Sequence, residues 1–189
     1  MALPSVRYEF RIALSDAERG VQLDTTLVAA RHPSETAEHL WLRVLAFCLL
    51  HQEGLAMGAG LSDGEASDLE ARDATGRLTA WVECGAAEAA SLRRVVSGNA
   101  GAEVHVVLGD PRRRRELLDG IARLPHGIKD ARRVTLWQVD ADLLSKLAAR
   151  EERRQRLAVT VVDGHVYLDV DGQPLDGEVV RQGLEAALR

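Results

Sequence analysis

The sequence predicts an α/β fold in which a mixed β-sheet is flanked by helices, with antiparallel hairpins at both ends of the chain. Paired strand patterns at the start of the chain, and again near its end, predict those hairpins. Between them apolar strands alternate with amphipathic helices, which predicts parallel strands joined by right-handed crossovers. The predicted order is ββα, then a βαβαβα core, then ββα. At 189 residues we expect a single domain, residues 1–189.

The first hairpin is predicted from two segments in which apolar and polar residues alternate. Residues 8–14 (Tyr-Glu-Phe-Arg-Ile-Ala-Leu) and 21–28 (Val-Gln-Leu-Asp-Thr-Thr-Leu-Val) both show the period of two that is typical of half-buried strands. The short connection at residues 16–20 favours antiparallel pairing of the two strands.

The first helix is predicted to begin around Pro33 and to run to about His51. Proline fits the first turn because it has no N–H to lose, and Glu35 is favoured there by the helix dipole. Apolar residues cover most of its circumference, so we expect the helix to be buried on more than one side. These residues are Leu40, Trp41, Val44, Leu45, Phe47 and Cys48. The loop beyond the helix is marked by Gly54, Gly58 and Gly60.

The middle of the chain supplies the predicted parallel core. Asp110-Pro111 is a favourable N-cap and first-turn pair, and Asp140 opens another helix. The predicted strands are residues 77–83, 103–108 and 134–139, and the predicted helices are 87–97, 110–124 and 140 to beyond 147.

The end of the chain predicts a second hairpin and a last helix. Asp163-Gly164 separates two apolar runs, residues 157–162 and 165–168, and this dipeptide is a strong signal for a two-residue hairpin turn. The amphipathic pattern of residues 177–188 predicts a helix.

Composition excludes some classes of function. The net charge is −5 and the pI near 5.7, which excludes a globally basic nucleic-acid-binding protein. Aromatic residues make up 4% of the chain, too few for a single-strand binder that stacks bases on several rings. Residues 112–115, four consecutive arginines, allow a phosphate-binding patch, but we favour a solvated helical face because they point in four directions.

The predicted location is the cytoplasm, without membrane contact. The first ten residues lack the basic segment and apolar run of a signal peptide. The longest apolar stretch, Val44–Leu50, is too short to span a bilayer. Cys48 and Cys84 show no metal-type spacing and are expected to be small buried hydrophobes.

Asp68 and Glu83 are the first candidates for chemistry. Residues 69–72 can form a short strand that turns back at residues 74–76 and pairs with the strand that ends at Gly85. Asp68 and Glu83 lie almost equally far from that turn, so a hairpin would bring them together. Two neighbouring carboxylates repel each other, and Mg²⁺ relieves that repulsion while using one or two carboxylates as ligands. The other interpretation is two separate surface or capping residues.

Glu38 is the third candidate acid. It is predicted to lie in the second turn of a helix that is apolar almost all round, where a carboxylate must be either paired or functional. A salt bridge with Arg31 or Arg43 and a functional role are equally compatible with the sequence.

Several segments together resemble the YaeQ family. The Arg-His-Pro-Ser-Glu-Thr run at residues 31–36 is the most specific. The resemblance implies a variant of the restriction-endonuclease-like fold of the PD-(D/E)XK nuclease superfamily. The segments that carry it are residues 30–38, 42–46, 60–61 and 81–85.

The resemblance also implies roles for the candidate acids. Asp68 would be the acid of the PD element and Glu83 the second acid, both binding Mg²⁺, and Glu38 would be the helical acid that assists. Ser67 stands where the motif has Pro, and Gly85 where it has Lys.

The resemblance suggests that a base from the following helix replaces the lysine, and the candidates are Arg93 and Arg94. Arginine stabilises phosphoryl charge but cannot act as a general base. The function that the resemblance implies is Mg²⁺-dependent, nuclease-like chemistry on nucleic acid, with catalysis resting on metal-bound water. The alternatives are a non-catalytic module that binds nucleic acid or a protein partner, and a metal-free structural protein.

Overall fold

The computed structural model describes residues 4–58, 67–150 and 152–189. Gly60 and Leu61, which contribute to the family resemblance, lie outside the described residues. The strands are β1 Val6–Asp16, β2 Val21–Arg31, β3 Leu55–Met57, β4 Leu69–Arg72, β5 Leu78–Cys84, β6 Glu103–Leu108, β7 Val134–Val139, β8 Arg154–Val162, β9 His165–Val170 and β10 Gln173–Gly183. The helices are α1 Ala37–Leu49, α2 Ala89–Gly98, α3 Pro111–Ala122, α4 Ala141–Ala148 and α5 Leu184–Ala187, with a 3₁₀ turn at Ala131–Arg133.

The described strands form a ten-stranded mixed sheet, in the order β2-β1-β8-β9-β10-β7-β6-β5-β4-β3. The prediction of a mixed sheet with helices and with an antiparallel hairpin at each end is confirmed. β5, β6 and β7 are parallel neighbours, as the alternation of strands and helices predicted. None of the helices in the described part of the chain is both long and apolar enough to cross a membrane.

Both predicted hairpins are present: strand pairing shows the first, and the φ angles of the turn agree with the second. β1 pairs antiparallel with β2 along its full length. Asp163 and Gly164 have φ of 50° and 71°, the two positive angles that a type I′ turn requires between β8 and β9. Asp171 and Gly172 repeat this geometry between β9 and β10.

The prediction of a helix over residues 177–188 is wrong for its first part. Residues 177–183 belong to β10, and only Leu184–Ala187 is helical. The first half of β10 pairs with β9 and its last five residues pair with β7, so this strand joins the two halves of the sheet. A Cβ on Gly177 would lie 2.9 Å from the Cβ atoms of both Asp140 and Leu143, so glycine permits α4 to pack closely there. Pairing with strands distant in sequence outweighs the local amphipathic pattern.

α1 begins three to four residues later than predicted. Thr36 is the N-cap, and its hydroxyl accepts a hydrogen bond from the His39 N–H at 3.1 Å. Pro33 therefore lies in a turn before the helix. Every residue from Leu40 to Leu49 is buried, in agreement with the expectation that α1 is covered on several sides.

Two apolar cores lie on the two faces of the β5–β7 region. In β5, Ala80, Val82 and Cys84 pack on the side of α1 and α4, within the larger core. Trp81 faces the opposite side and packs against the smaller core, to which α2 and α3 contribute. The alternation assigns Glu83 to the same face as Trp81.

Candidate functional site

Asp68 and Glu83 lie at the same end of the β4–β5 hairpin. Leu69 pairs with Val82, which places Asp68 beside the last residues of β5. The Asp68 N–H donates to the Val82 carbonyl at 2.9 Å, and Asp68 Oδ2 accepts the Cys84 N–H at 2.8 Å. Asp68 therefore contacts the residues on both sides of Glu83. The hairpin symmetry that the sequence suggested is present in the fold.

Glu83 is a half-buried carboxyl group that is held close to other negative charges. Burial raises its pKa, and the carboxylates of Asp68 and Glu88 raise it further, to about 7. A carboxyl group with this pKa exchanges its proton near neutral pH. A nearby cation would therefore stabilise the ionised form of Glu83.

Asp68, in contrast, already has two cationic neighbours from α1. His39 Nε2 lies 3.3 Å from Asp68 Oδ1, and Arg43 Nε lies 3.7 Å from the same oxygen. The Arg43 residue is only 2% exposed. These contacts turn the Asp68 side chain toward α1.

Glu35 completes this network of charges. Its Oε1 accepts from His39 Nδ1 at 2.8 Å and from the Arg43 guanidinium at 3.1 Å. We call Glu35, His39, Arg43 and Asp68 the α1 charge network. Burial opposes ionisation of Glu35, but His39 and Arg43 outweigh it and lower the pKa.

His39 is the central member of the network. Burial disfavours its charged form, but the hydrogen bonds and charges of Asp68 and Glu35 outweigh burial and raise its pKa to about 9. The imidazole is therefore a cation at neutral pH, held through both ring nitrogens.

Glu38 takes no part in this network. It is an exposed residue in the first turn of α1, and not in the second turn as predicted. The salt bridge proposed for it belongs to Glu35, which pairs with Arg43, while Arg31 donates to the Glu35 carbonyl. The later start of the helix explains the difference, because Glu35 lies in the turn before the N-cap and folds back under α1.

The α1 charge network had a signal in the sequence. Glu35, His39 and Arg43 are spaced four residues apart, and residues at this spacing lie on one face of a helix. The sequence analysis did not use this spacing, because it considered Glu35 only as a first-turn residue favoured by the helix dipole.

Position 85, where the implied nuclease motif would have lysine, has a backbone conformation that favours glycine. Gly85 has φ of +82°, which side chains rarely adopt. A Cβ there would lie 3.1 Å from His39 Cδ2. The His39 ring thus occupies the direction in which a lysine at position 85 would extend.

The predicted arginines lie on α2. Arg93 is half-buried and its guanidinium donates to the Pro125 carbonyl at 3.4 Å, beyond the end of α3. Arg94 is exposed. A contact of either arginine with a phosphate at Asp68 and Glu83 stays a prediction.

The arginines at the start of α3 diverge. Asp110 caps the helix through the Arg112 N–H, as predicted. Arg113 pairs with Glu116 at 3.0 Å, while Arg114 hydrogen-bonds Gln182 on β10. This divergence agrees with a solvated helical face.

In the described residues, no group of three or more His, Cys, Asp or Glu side chains is arranged to hold a metal ion. Asp68 and Glu83 supply two carboxylates, and Mg²⁺ commonly takes one or two carboxylates together with water and substrate phosphate. Mg²⁺ held by these two carboxylates would therefore complete its coordination with water and substrate phosphate.

A cleft of about 590 Å³ adjoins the α1 charge network. It is formed by the first turns of α1, α3 and α4 and by the residues that follow β5 and β6. His39 lines the cleft and also contacts Asp68, so it connects the two. Ligands of α/β proteins commonly bind at the carboxyl ends of parallel strands, and this cleft lies at the carboxyl ends of β5 and β6.

Comparison with known proteins identifies the family of this chain. The family model described as YaeQ protein matches residues 1–179. The chain belongs to the YaeQ family. The predicted resemblance is thereby confirmed.

YaeQ relatives match over nearly the whole chain. An uncharacterized YaeQ protein of Escherichia coli strain K12 is 27% identical over 176 residues, which cover 93% of this chain and 94% of the relative. That of Salmonella typhi is 27% identical over 170 residues, covering 89% and 90%.

Two YaeQ crystal structures share the fold. The protein from Xanthomonas axonopodis pv. citri has a TM-score of 0.82 at 26% identity, covering 94% of this chain and 98% of the other. The protein from Pseudomonas syringae has a TM-score of 0.81 at 28% identity, covering 94% and 96%. The fold shared with the two YaeQ structures therefore extends over 94% of this chain.

Proposed function

We propose that this YaeQ-family protein is a Mg²⁺-dependent phosphodiesterase of the restriction-endonuclease-like, PD-(D/E)XK type that acts on nucleic acid. Asp68 and Glu83 are the proposed metal ligands. The observation that carries the proposal is the pairing of β4 with β5, which puts Asp68 at the end of the hairpin where Glu83 lies, with the Asp68 carboxylate on the Cys84 N–H. The raised pKa of Glu83, about 7, to which burial and then the Asp68 carboxylate contribute, supports it. A divalent cation between them would stabilise both charges.

The metal supplies two things when it is bound, an activated water and neutralisation of charge on the phosphoryl group. The protein residues supply the rest. Asp68 is fixed in direction by the Cys84 N–H and by His39. Glu83 releases its proton when it takes up a cation, so binding of Mg²⁺ is expected to tighten as the pH rises through about 7.

The α1 charge network supports a role for His39 in place of the motif lysine. Gly85 cannot provide a cation, but the His39 ring lies against it and carries a positive charge. This charge lies 3.3 Å from the Asp68 carboxylate and would offset its repulsion of a phosphate. Arg93 and Arg94 remain the proposed phosphate contacts from α2.

Isothermal titration calorimetry with Mg²⁺ and Mn²⁺ tests the metal site. We expect binding by the wild type and its loss in Asp68→Asn and Glu83→Gln. Glu103→Gln is the control, because the Glu103 side chain is 71% exposed and lies at the opposite end of the strands. Cleavage of fluorescent single-stranded and duplex oligonucleotides is then followed with the same variants. Absence of any metal-dependent heat in the wild type would refute the proposal.

One observation favours a second candidate, a non-catalytic module that binds nucleic acid or a protein partner. Both Asp68 oxygens have protein partners, the Cys84 N–H on one and His39 on the other. The charge of Asp68 is therefore balanced without a metal. Oligonucleotide binding with no cleavage, and with the same affinity in wild type and Glu83→Gln, would favour this candidate. A strong salt dependence would identify phosphate contacts.

A further inference from the structure

The cleft beside His39 has an apolar bottom and a polar mouth. Leu42 and Leu144 line it and are buried. The Gly109 backbone packs so closely on Leu144 that a Cβ at position 109 would overlap its Cδ2. Glu38 and Asp110 also line it, but both are exposed. A ligand that enters the cleft thus meets carboxylates first and leucines beneath them.

The charges of the cleft disfavour phosphate as its occupant. Three helices begin at the cleft, and helix N-termini normally attract anions. Here Asp110 and Asp140 cap two of them, and Glu38 lies in the first turn of the third. Among the described lining residues, the cations are His39 and Arg113, and each is already paired with a carboxylate.

An occupant that fits must combine an apolar body with N–H donors. The volume, about 590 Å³, lies within the range of small-ligand sites. A nucleobase has such a body, and cytosine and adenine carry an exocyclic amine that carboxylates can accept from.

We infer that this cleft binds the base of one substrate nucleotide, with the ring against Leu42 and Leu144 and the exocyclic amine facing Glu38 and Asp110. The inference rests on the proposed function for its substrate, because His39 connects the cleft to Asp68. A base reaches such a cleft only when it is unpaired or flipped out of a duplex. The preferred substrate is therefore single-stranded or an unpaired end.

Nucleosides test the cleft without any metal chemistry. Cytidine and uridine are titrated into ¹⁵N-labelled protein in a buffer free of divalent cations, and amide chemical shifts are followed. We expect saturable binding of cytidine with shifts at the first turns of α1, α3 and α4, and at least about fivefold weaker binding of uridine, which lacks the amine. No saturable shift up to about 10 mM cytidine, or equal affinities for the two nucleosides, would overturn the inference.

Two matched pairs of variants locate the binding. Ala141 lines the cleft and is exposed, so Ala141→Trp is expected to abolish cytidine binding. Ala149→Trp places the same ring at the exposed far end of α4 and should leave binding unchanged. Glu38→Ala should weaken cytidine binding at least about fivefold, and Asp24→Ala, an exposed acid on β2, should not.

The outcomes separate this inference from the proposed function. Cytidine binding that Ala141→Trp abolishes, in a protein that binds no Mg²⁺, refutes the phosphodiesterase and keeps the base site. Metal binding at Asp68 and Glu83 with cytidine affinity unchanged in Ala141→Trp refutes the base site alone.

Discussion

His39 Nε2 lies 3.3 Å from Asp68 Oδ1, so the acid that the sequence marked as a metal ligand is held by a cation from α1. The other ring nitrogen of His39 contacts Glu35 at 2.8 Å. A single imidazole thus connects the helix, the β4–β5 hairpin and the cleft. We therefore expect the stability of the fold and the proposed chemistry of the site to depend on the same ring.

Stability is expected to fall as the pH rises through the titration of His39. The folded-state pKa, about 9, is above the ordinary value of 6.5, so the stabilisation is complete below pH 6.5 and is lost by about pH 9. The full difference corresponds to at most about 3 kcal/mol. Urea unfolding at several pH values between 6 and 9.5 measures the free energy of unfolding.

The variant His39→Gln tests the assignment of this slope. Glutamine keeps hydrogen-bonding capacity but cannot titrate, so we expect a flatter profile over this pH range. His126→Gln is the matched control because it replaces an exposed histidine outside the α1 charge network. A slope that is the same in His39→Gln and wild type would contradict the prediction.

Replacing Glu83 is expected to stabilise the protein at alkaline pH. Its pKa, about 7, is above the ordinary value of 4.5, so its favourable contribution is present below pH 4.5 and is lost as the pH rises to about 7. Above that pH a buried charge faces Asp68 and Glu88. Glu83→Gln removes it and should raise the free energy of unfolding at pH 8 by about 1–3 kcal/mol.

Thermal unfolding at pH 4 and pH 8 measures this effect. The gain should be present at pH 8 and nearly absent at pH 4, where the wild-type carboxyl is already neutral. Glu53→Gln, at an exposed position in the turn that follows α1, should show no such difference between the two pH values. A gain of equal size at both pH values would mean that charge is not its cause.

The sequence predicted features that depend on local patterns, and it failed where distant contacts decide. Alternation and the Asp163-Gly164 turn predicted the hairpins. The symmetry of Asp68 and Glu83 about their turn predicted that both lie at the same end of the β4–β5 hairpin. β10 was missed because its pairing with β7 cannot be inferred from residues 177–183 themselves. Glu35 was missed as the buried acid because the folding back of its turn depends on Arg43 beneath it.

Glu35 and Glu38 are expected to respond very differently to the same substitution. Glu35→Gln removes the nearer of the two carboxylates that pair with buried Arg43 and leaves only Asp68, at 3.7 Å. Removing one partner of a buried ion pair costs up to about 3–5 kcal/mol. Glu38→Gln changes an exposed residue and should alter the free energy of unfolding by less than about 0.5 kcal/mol. Chemical denaturation of both variants at pH 7 provides the comparison. Equal losses would show that the buried acid is not specifically Glu35.

Gly85→Ala is expected to destabilise the protein more than Gly76→Ala. Both glycines have nearly the same backbone angle, φ of +82° and +83°, so both substitutions carry the cost of a left-handed residue, about 1–2 kcal/mol. Only at Gly85 would the new Cβ also press on the His39 ring, at 3.1 Å, whereas no atom lies within 4 Å of a Cβ at Gly76. Displacement of the ring would weaken its contacts with Asp68 and Glu35. Gly85→Ala should therefore also reduce the slope of the free energy of unfolding against pH between 6.5 and 9, whereas Gly76→Ala should leave that slope unchanged. Equal slopes in the two variants would show that the His39 ring tolerates a side chain at position 85.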